Sequence, residues 1–407
     1  MTTGSHIVVL GSYPSVVPRH GGQIRLAEVT AAYKRTGTAV TSINVFDRLS
    51  YADQAHGPLD FLYPAASRYR SFRGEAIPLI DDLTSGHFAA ADDGIYQELT
   101  RVLPKNVTMV HLEQPWLFPL VQRWRKEGHI GSARLVYGSQ NVEAPLKAAI
   151  LRQYAIASAD AVAAEIALLE GAVCRAADYV LAVSDADRLA LQALTGKPVV
   201  LAQNGIAPWS ASEGKLLEWR QRLTDKPFAL FVGSAHPPNI SGFFDWFGDS
   251  LGFLPPDTRI VVCGSVGSHL PQDPRFKRWL PLNESRIRII GVLEEDDLAA
   301  VKSLARVFVL PISEGGGSNI KTAEALFSGT YVVGTPTSFR GFGRYLQEPG
   351  VHQADTPRDF RRAVTSCLPE SPLHLDEPAR ALRRQLVWEK ALAPIKDIVD
   401  RAAREAK

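Results

Sequence analysis

Short apolar runs recur along this chain with polar, helix-like segments between them, the pattern of a parallel sheet whose strands are covered on both faces. The run HIVVLG at 6–11 reads as a strand. Residues 12–22 form a loop rich in proline and glycine, 23–35 a helix closed by Gly37, and 38–45 the next strand, which completes one β-α-β unit. Apolar runs at 107–111, 134–137, 179–183 and 199–201 continue the alternation, and 144–177 is alanine-rich and mostly helical, punctuated by Gly171. At 207–226 the pattern breaks: Pro208, Ser210, Ser212, Gly214 and the adjoining Pro227 mark a linker. A second series follows, with strands at 228–233, 259–264 and 286–291, a helix from about Phe243 and another at 295–304. The class is α/β, divided as 1–207, a linker at 208–226, and 227–385.

The richest stretch is 307–335, VFVLPISEGGGSNIKTAEALFSGTYVVGT. An apolar strand ends at Pro311, and Gly315, Gly316 and Gly317 allow a tight turn in which backbone amides can approach a ligand. Ser318 or Asn319 can cap the helix that follows, and a helix start favours negative charge, phosphate above all. On that helix Ile320, Ala323 and Phe327 fall on one face and should meet the sheet, while Lys321, Glu324 and Ser328 share a neighbouring face. Gly329 ends the helix and 331–334 is the next strand. Three glycines alone would make only a loop; with a strand before and a capped helix after, they make an anion site with a carboxylate one turn deeper.

Composition sets bounds. A chain of 407 residues, 45% apolar and 22% charged, is globular and long enough for two domains. A net charge of +2 is too mild for nucleic-acid binding, and no motif for it occurs. Cys174, Cys263 and Cys367 are far apart with no metal-ligand spacing, which fits reduced thiols in a cytosol. No signal sequence and no apolar window long enough to span a bilayer is evident, so a cytoplasmic protein is expected. Residues 62–73 interleave Arg68, Arg70 and Arg73 with Tyr63, Tyr69 and Phe72, a composition suited to a solvated face, to a phosphorylated acceptor or to peripheral contact with anionic headgroups. Asp185 and Asp187 have a metal-like spacing but open a helix after Ser184, where acids are favourable for that reason alone. No metal site is expected.

The run from Gly316 to Glu324, the phrase TAEALFSGTYVVGT and the Pro-Ile-Ser lead-in resemble the donor segment of family 4 retaining glycosyltransferases of the GT-B fold, in a subgroup with a triple-glycine loop. GSQNVEAPLK, CRAADYVLAVSDADRLAL, PVVLAQNGI and the phrase around Gln385, Trp388 and Glu389 resemble further landmarks in the same order. The resemblance implies two Rossmann-like domains facing a cleft, with a C-terminal helix over about 386–407 packing back onto the first domain. It implies that Glu324 holds the ribose of a nucleotide-sugar and that amides of Gly316, Gly317, Ser318, Asn319 and Ile320 hold its diphosphate. Gly21 and Gly22 would approach the sugar phosphate, Gly233 and Ser234 would line the donor, and the backbone at Val292 and Leu293 would hold the base.

Several positions depart from the family. Gly316 stands where a first glutamate is usual, with Glu314 two positions away as a substitute. Ser234 and Ser241 replace an Arg and a Lys that neutralise the diphosphate, so Lys321 and Arg340 are the expected cations, with His236 and Asn239 as polar contacts. Gln140 replaces a histidine, which leaves His111, at a strand end, to line the acceptor side. The expected reaction is metal-independent transfer, without a cofactor, from a nucleoside diphosphate sugar to a hydroxyl of a carbohydrate, lipid-linked or other acceptor. An epimerase of the same fold and a non-catalytic nucleotide-sugar-binding protein are the alternatives. The former predicts carboxylates and histidines around the sugar, where His111 and His236 are the candidates.

Overall fold

The computed structural model describes residues 5–223, 226–314, 316 and 318–405. It divides into two units, Met1–Gln203 with Ala391–Lys407, and Asn204–Lys390.

The first unit holds a seven-stranded sheet in the order β3-β2-β1-β4-β5-β6-β7. These strands are β1 (His6–Gly11), β2 (Ala39–Asp47), β3 (Asp60–Tyr63), β4 (Val107–Glu113), β5 (Arg134–Gly138), β6 (Tyr179–Ala182) and β7 (Val199–Leu201). Every pairing is parallel. In β1, Ile7, Val8, Val9 and Leu10 are all buried, because helices cover both faces of such a sheet and no face remains to be polar. The 393–405 helix packs on the 21–35 helix.

The second unit repeats the plan with six strands in the order β10-β9-β8-β11-β12-β13. They are β8 (Phe228–Val232), β9 (Arg259–Cys263), β10 (Ile287–Gly291), β11 (Val307–Leu310), β12 (Tyr331–Gly334) and β13 (Val351–Gln353), again all parallel. Counted from its own first strand, each sheet runs 3-2-1-4-5-6, with a seventh strand added at the end of the first sheet, the doubly wound order in which ligands lie beyond the carboxyl ends where the strand order reverses. In the second unit that point lies between β8 and β11.

Local boundaries differ from the sequence reading for physical reasons. Residues 213–223, inside the expected linker, form a helix whose Trp219 and Leu223 join the second core. The alanine-rich stretch is two helices, Glu143–Gln153 and Ala159–Ala176, parted where Ala155 takes φ 54°. The helix placed near Phe243 starts at Pro237, since two prolines suit a first helical turn. On the 320–327 helix the buried face is Thr322, Ala323, Ala325 and Leu326, with Ile320 and Phe327 only half-buried.

Glycine crowds the carboxyl edge of the second sheet. The Gly264 N–H donates to Gly291 O at 2.6 Å, and the Val266 N–H to Gly233 O at 3.1 Å. Gly264 has φ 96°, and a Cβ there would lie 2.2 Å from Gly233 O. Strain and overlap together should cost Gly264→Ala about 2–4 kcal/mol. Chemical denaturation followed by tryptophan fluorescence should show the loss; an unchanged transition would mean that this edge relaxes freely.

Candidate functional site

At the carboxyl end of β11 the chain leaves the ladder, and a set of hydroxyls takes up the carbonyls that follow. Ser338 Oγ donates to Leu310 O at 2.6 Å, Thr335 Oγ1 to Ile312 O at 2.5 Å, and Thr322 Oγ1 to Ser338 O at 2.7 Å. Trp246 Nε1 donates to Ser313 Oγ at 3.0 Å, and Asn204 Nδ2 to Ser318 O at 3.0 Å. Gly242 admits this packing, since a Cβ there would lie 2.2 Å from Pro311 O. Gly315 and Gly317 lie outside the described residues. Gly316 is half-buried, and Glu314 is exposed. Ser318 is buried, and its hydroxyl has no hydrogen-bond partner among the described residues. Asn319 caps the helix, its side chain accepting from the Lys321 N–H at 3.0 Å and its carbonyl from the Thr322 N–H at 3.0 Å, which leaves the Ile320 N–H without an intrahelical acceptor.

Of the two expected cations, Lys321 reaches the loop after β8. Lys321 Nζ donates to Asn239 Oδ1 at 2.7 Å. Asn239 Nδ2 donates to Ser234 O at 2.9 Å, so the loop after β8 and the helix after β11 are joined through one amide. Burial pulls the Lys321 amino group down to about 8, against the opposing effect of Glu324. His236, exposed at the start of the 237–247 helix, is lowered by desolvation and then by Lys321. Val292, 76% exposed, and half-buried Leu293 follow Gly291, whose φ is 87°. Arg340 sits half-buried in the turn after β12, its N–H donating to Thr337 O at 3.4 Å. Glu324 is one turn into the helix, with Lys302 Nζ 3.1 Å from its Oε1.

The residues nominated in the first unit divide. Gly21 and Gly22 open the 21–35 helix, and a Cβ on Gly22 would lie 2.9 Å from Gln140 Oε1 and from the Tyr13 ring. His111 does not line a surface: it is 0% exposed, with Nδ1 2.8 Å from Tyr33 Oη and Nε2 2.8 Å from Glu113 Oε2. Both ring nitrogens are used internally, which corrects its nomination as an acceptor-side residue. Glu113 Oε1 accepts from Arg25 Nε at 2.7 Å. Burial opposes ionisation of Glu113, yet Arg25 and His111 outweigh it and hold the carboxyl below its usual value.

Sequence reasoning missed a polar group at the same edge of the first sheet. Gln114, beyond β4, has φ 72° and donates to Glu143 Oε1 at 3.1 Å. Burial, then Glu170 and Asp82, push Glu143 up to about 8. Lys147 Nζ binds Asp82 Oδ2 at 2.8 Å. Only the position of Gln114 just past a strand signals this group. Asn204, Thr335 and Ser338 were missed for the same reason: each acts through a carbonyl, which a sequence does not display. In the basic segment, Arg70 pairs with Asp47 and Asp81, Arg73 lies 3.8 Å from Glu165, and Arg68 donates to the Tyr69 hydroxyl. Ser184 caps the helix carrying Asp185 and Asp187, accepting from the Asp187 N–H at 3.1 Å. Among the described residues no group of three or more His, Cys, Asp or Glu is placed to hold a metal ion, and no helix is long and apolar enough to cross a membrane.

The loop after β8, the 320–327 helix and the turn after β12 lie in the part of the chain that a family model covers. Residues 226–369 match the glycosyl transferases group 1 model. No curated protein matches the chain in sequence. Among solved structures, sucrose-phosphate synthase from Thermosynechococcus elongatus superposes with a TM-score of 0.67 at 16% identity, covering 99% of this chain and 100% of that one. Anabaena HepE, solved with UDP-glucose, gives 0.63 at 15% identity over 97% and 99%. The UDP-forming α,α-trehalose-phosphate synthase of Burkholderia xenovorans, with glucose-6-phosphate, gives 0.67 at 15% over 98% and 99%. The chain has the GT-B fold. The group 1 match and the fold together support a glycosyltransferase.

An amine with a pKa of about 8 binds a diphosphate only while it carries its proton. Lys321 is charged below that pH, so affinity for a nucleoside diphosphate should fall about tenfold between about pH 7 and pH 9. Titration calorimetry should find the fall in the native chain and a weaker, flat profile in Lys321→Met. A native profile that is equally flat would remove Lys321 from the phosphate site.

Proposed function

We propose that this chain transfers a glycosyl unit from a nucleoside diphosphate sugar to an acceptor hydroxyl, with retention at the anomeric carbon, in glycan or glycoconjugate biosynthesis in the cytoplasm. The observation that carries the reading is the bridge from Ser234 through Asn239 to Lys321 beside the start of the 320–327 helix, at the reversal point of the second sheet. The named ligands of the structural neighbours, UDP-glucose on HepE among them, are of the class such a site would take. Retention rests on the resemblance of the donor segment to family 4.

Breaking the anomeric C–O bond moves negative charge onto the departing diphosphate. Groups already fixed at that phosphate lower the barrier, because they interact more strongly with the transition state than with the bound donor. In this proposal Lys321 and the amides of Ser318, Asn319 and Ile320 are those groups, while Glu324 accepts from the pentose hydroxyls. Asn239 holds the Lys321 amine in place, so the charge needs no rearrangement when the bond breaks. Neither a metal nor an organic cofactor enters the proposal. The acceptor is a carbohydrate or lipid-linked hydroxyl.

The test follows nucleoside diphosphate release from a panel of nucleotide sugars with and without candidate acceptors. Acceptor-dependent release is expected, and Glu324→Gln should weaken donor binding about tenfold, the worth of a hydrogen bond to a charged group. Sugar isomerisation without diphosphate release, binding without turnover across the panel, or an unchanged Glu324→Gln would overturn the reading.

A further inference from the structure

One buried cation of the second unit stands behind the anion site, apart from the groups that would meet a phosphate. Lys302, in the 295–304 helix, is 5% exposed. Its Nζ lies 3.1 Å from Glu324 Oε1 and 5.2 Å from the centre of the Trp209 ring. Trp209 also meets Phe327 edge to face at 5.9 Å, so the ring that walls the ammonium packs on the end of the helix carrying Glu324.

Stability explains this lysine poorly. Ordering its long side chain costs conformational entropy, and removing the charge from water costs more still. Among the described residues Glu324 is its one ion-pair partner, and the Glu324 side chain is 26% exposed, so water screens part of the attraction. An apolar side chain in the same volume would avoid the desolvation. The pair makes sense if the carboxylate has to be held for something else.

We propose that Lys302 is a positioning residue that pins one oxygen of Glu324, so that the other meets the pentose hydroxyls of the donor nucleotide and the site selects ribonucleotides over 2′-deoxyribonucleotides. This rests on the reading of Glu324 as the pentose-binding carboxylate. A carboxylate has room for several donors, and Oε2 has no hydrogen-bond partner among the described residues. A free glutamate would lose side-chain entropy on meeting a 2′,3′-diol; one already fixed by an ammonium has lost it beforehand. Pinning also sets the angle at which the remaining oxygen faces the diol, and loss of the 2′-hydroxyl then removes a charge-assisted hydrogen bond that nothing else replaces.

The experiment compares UDP, ADP and GDP with their 2′-deoxy counterparts by calorimetry, using whichever base the native chain binds. Native protein, Lys302→Met, Lys302→Gln, Lys302→Arg and Glu324→Gln are measured side by side, with inorganic pyrophosphate as the anion control. The native chain should prefer the ribonucleotide by about tenfold or more. Lys302→Met and Lys302→Gln should bring the ratio close to that of Glu324→Gln, near one, while pyrophosphate binding stays unchanged, and Lys302→Arg should restore most of the preference. A merely structural lysine would weaken ribo and deoxy forms alike and leave the ratio intact. If Glu324→Gln abolishes the preference but folded Lys302→Met or Lys302→Gln keeps it, the inference fails and the reading of Glu324 stands. If Glu324→Gln itself keeps the native ratio, the reading of Glu324 fails and the inference with it.

Discussion

Two hydroxyls, those of Thr335 and Ser338, decide where the 320–327 helix can begin. A strand that leaves its sheet carries carbonyls with no ladder partner, and buried carbonyls left unmet are costly. Thr335 and Ser338 donate to the carbonyls of Ile312 and Leu310, and Thr322, in the helix itself, returns the bond to Ser338 O. The turn after β12 and the helix after β11 are thereby one hydrogen-bonded piece. The direction of the helix start, the reach of Lys321 to Asn239 and the depth of Glu324 all follow from it.

The two units use buried charge in opposite ways. In the first, Arg25, Glu113, His111 and Tyr33 form a chain with every link at 2.8 Å or less, wholly inside the protein. Deleting one member would strand the others, a penalty of about 3–5 kcal/mol. In the second, Lys321 has lost much of its hydration and, among the described residues, has gained only a neutral amide as hydrogen-bond partner. That imbalance is characteristic of a group kept ready for an anion.

Much of the architecture was legible in the sequence because parallel strands covered on both faces leave unbroken apolar runs: β1, β8, β9 and β11 all show them. The short strands β3 and β13 escaped notice. DFLY carries an acid beside its apolar residues, and VHQ has only three residues and two polar side chains. The helix at 213–223 was hidden by Ser212 and Gly214 at its start, although Trp219 and Leu223 four residues apart record the buried face. Around the candidate site, the loop-and-helix pattern singled out Lys321 and Glu324, and the departure from the family's basic residues singled out Asn239; the fold joins Lys321 to Asn239. Lys302 was not readable, since a lysine near the end of a helix usually faces water, and only the fold brings it beneath Glu324. His111 misled because a histidine at a strand end can as easily turn inward as outward. Its neighbours Tyr33 and Glu113 draw it in.

The most direct test of the central claim is a crystal structure of the full chain with a bound nucleoside diphosphate. The account predicts the diphosphate against the amides of residues 318–320 with Lys321 Nζ in hydrogen-bond reach, and the pentose hydroxyls on Glu324. A nucleotide bound away from the 311–324 segment, or one whose phosphates turn from Lys321, would contradict it.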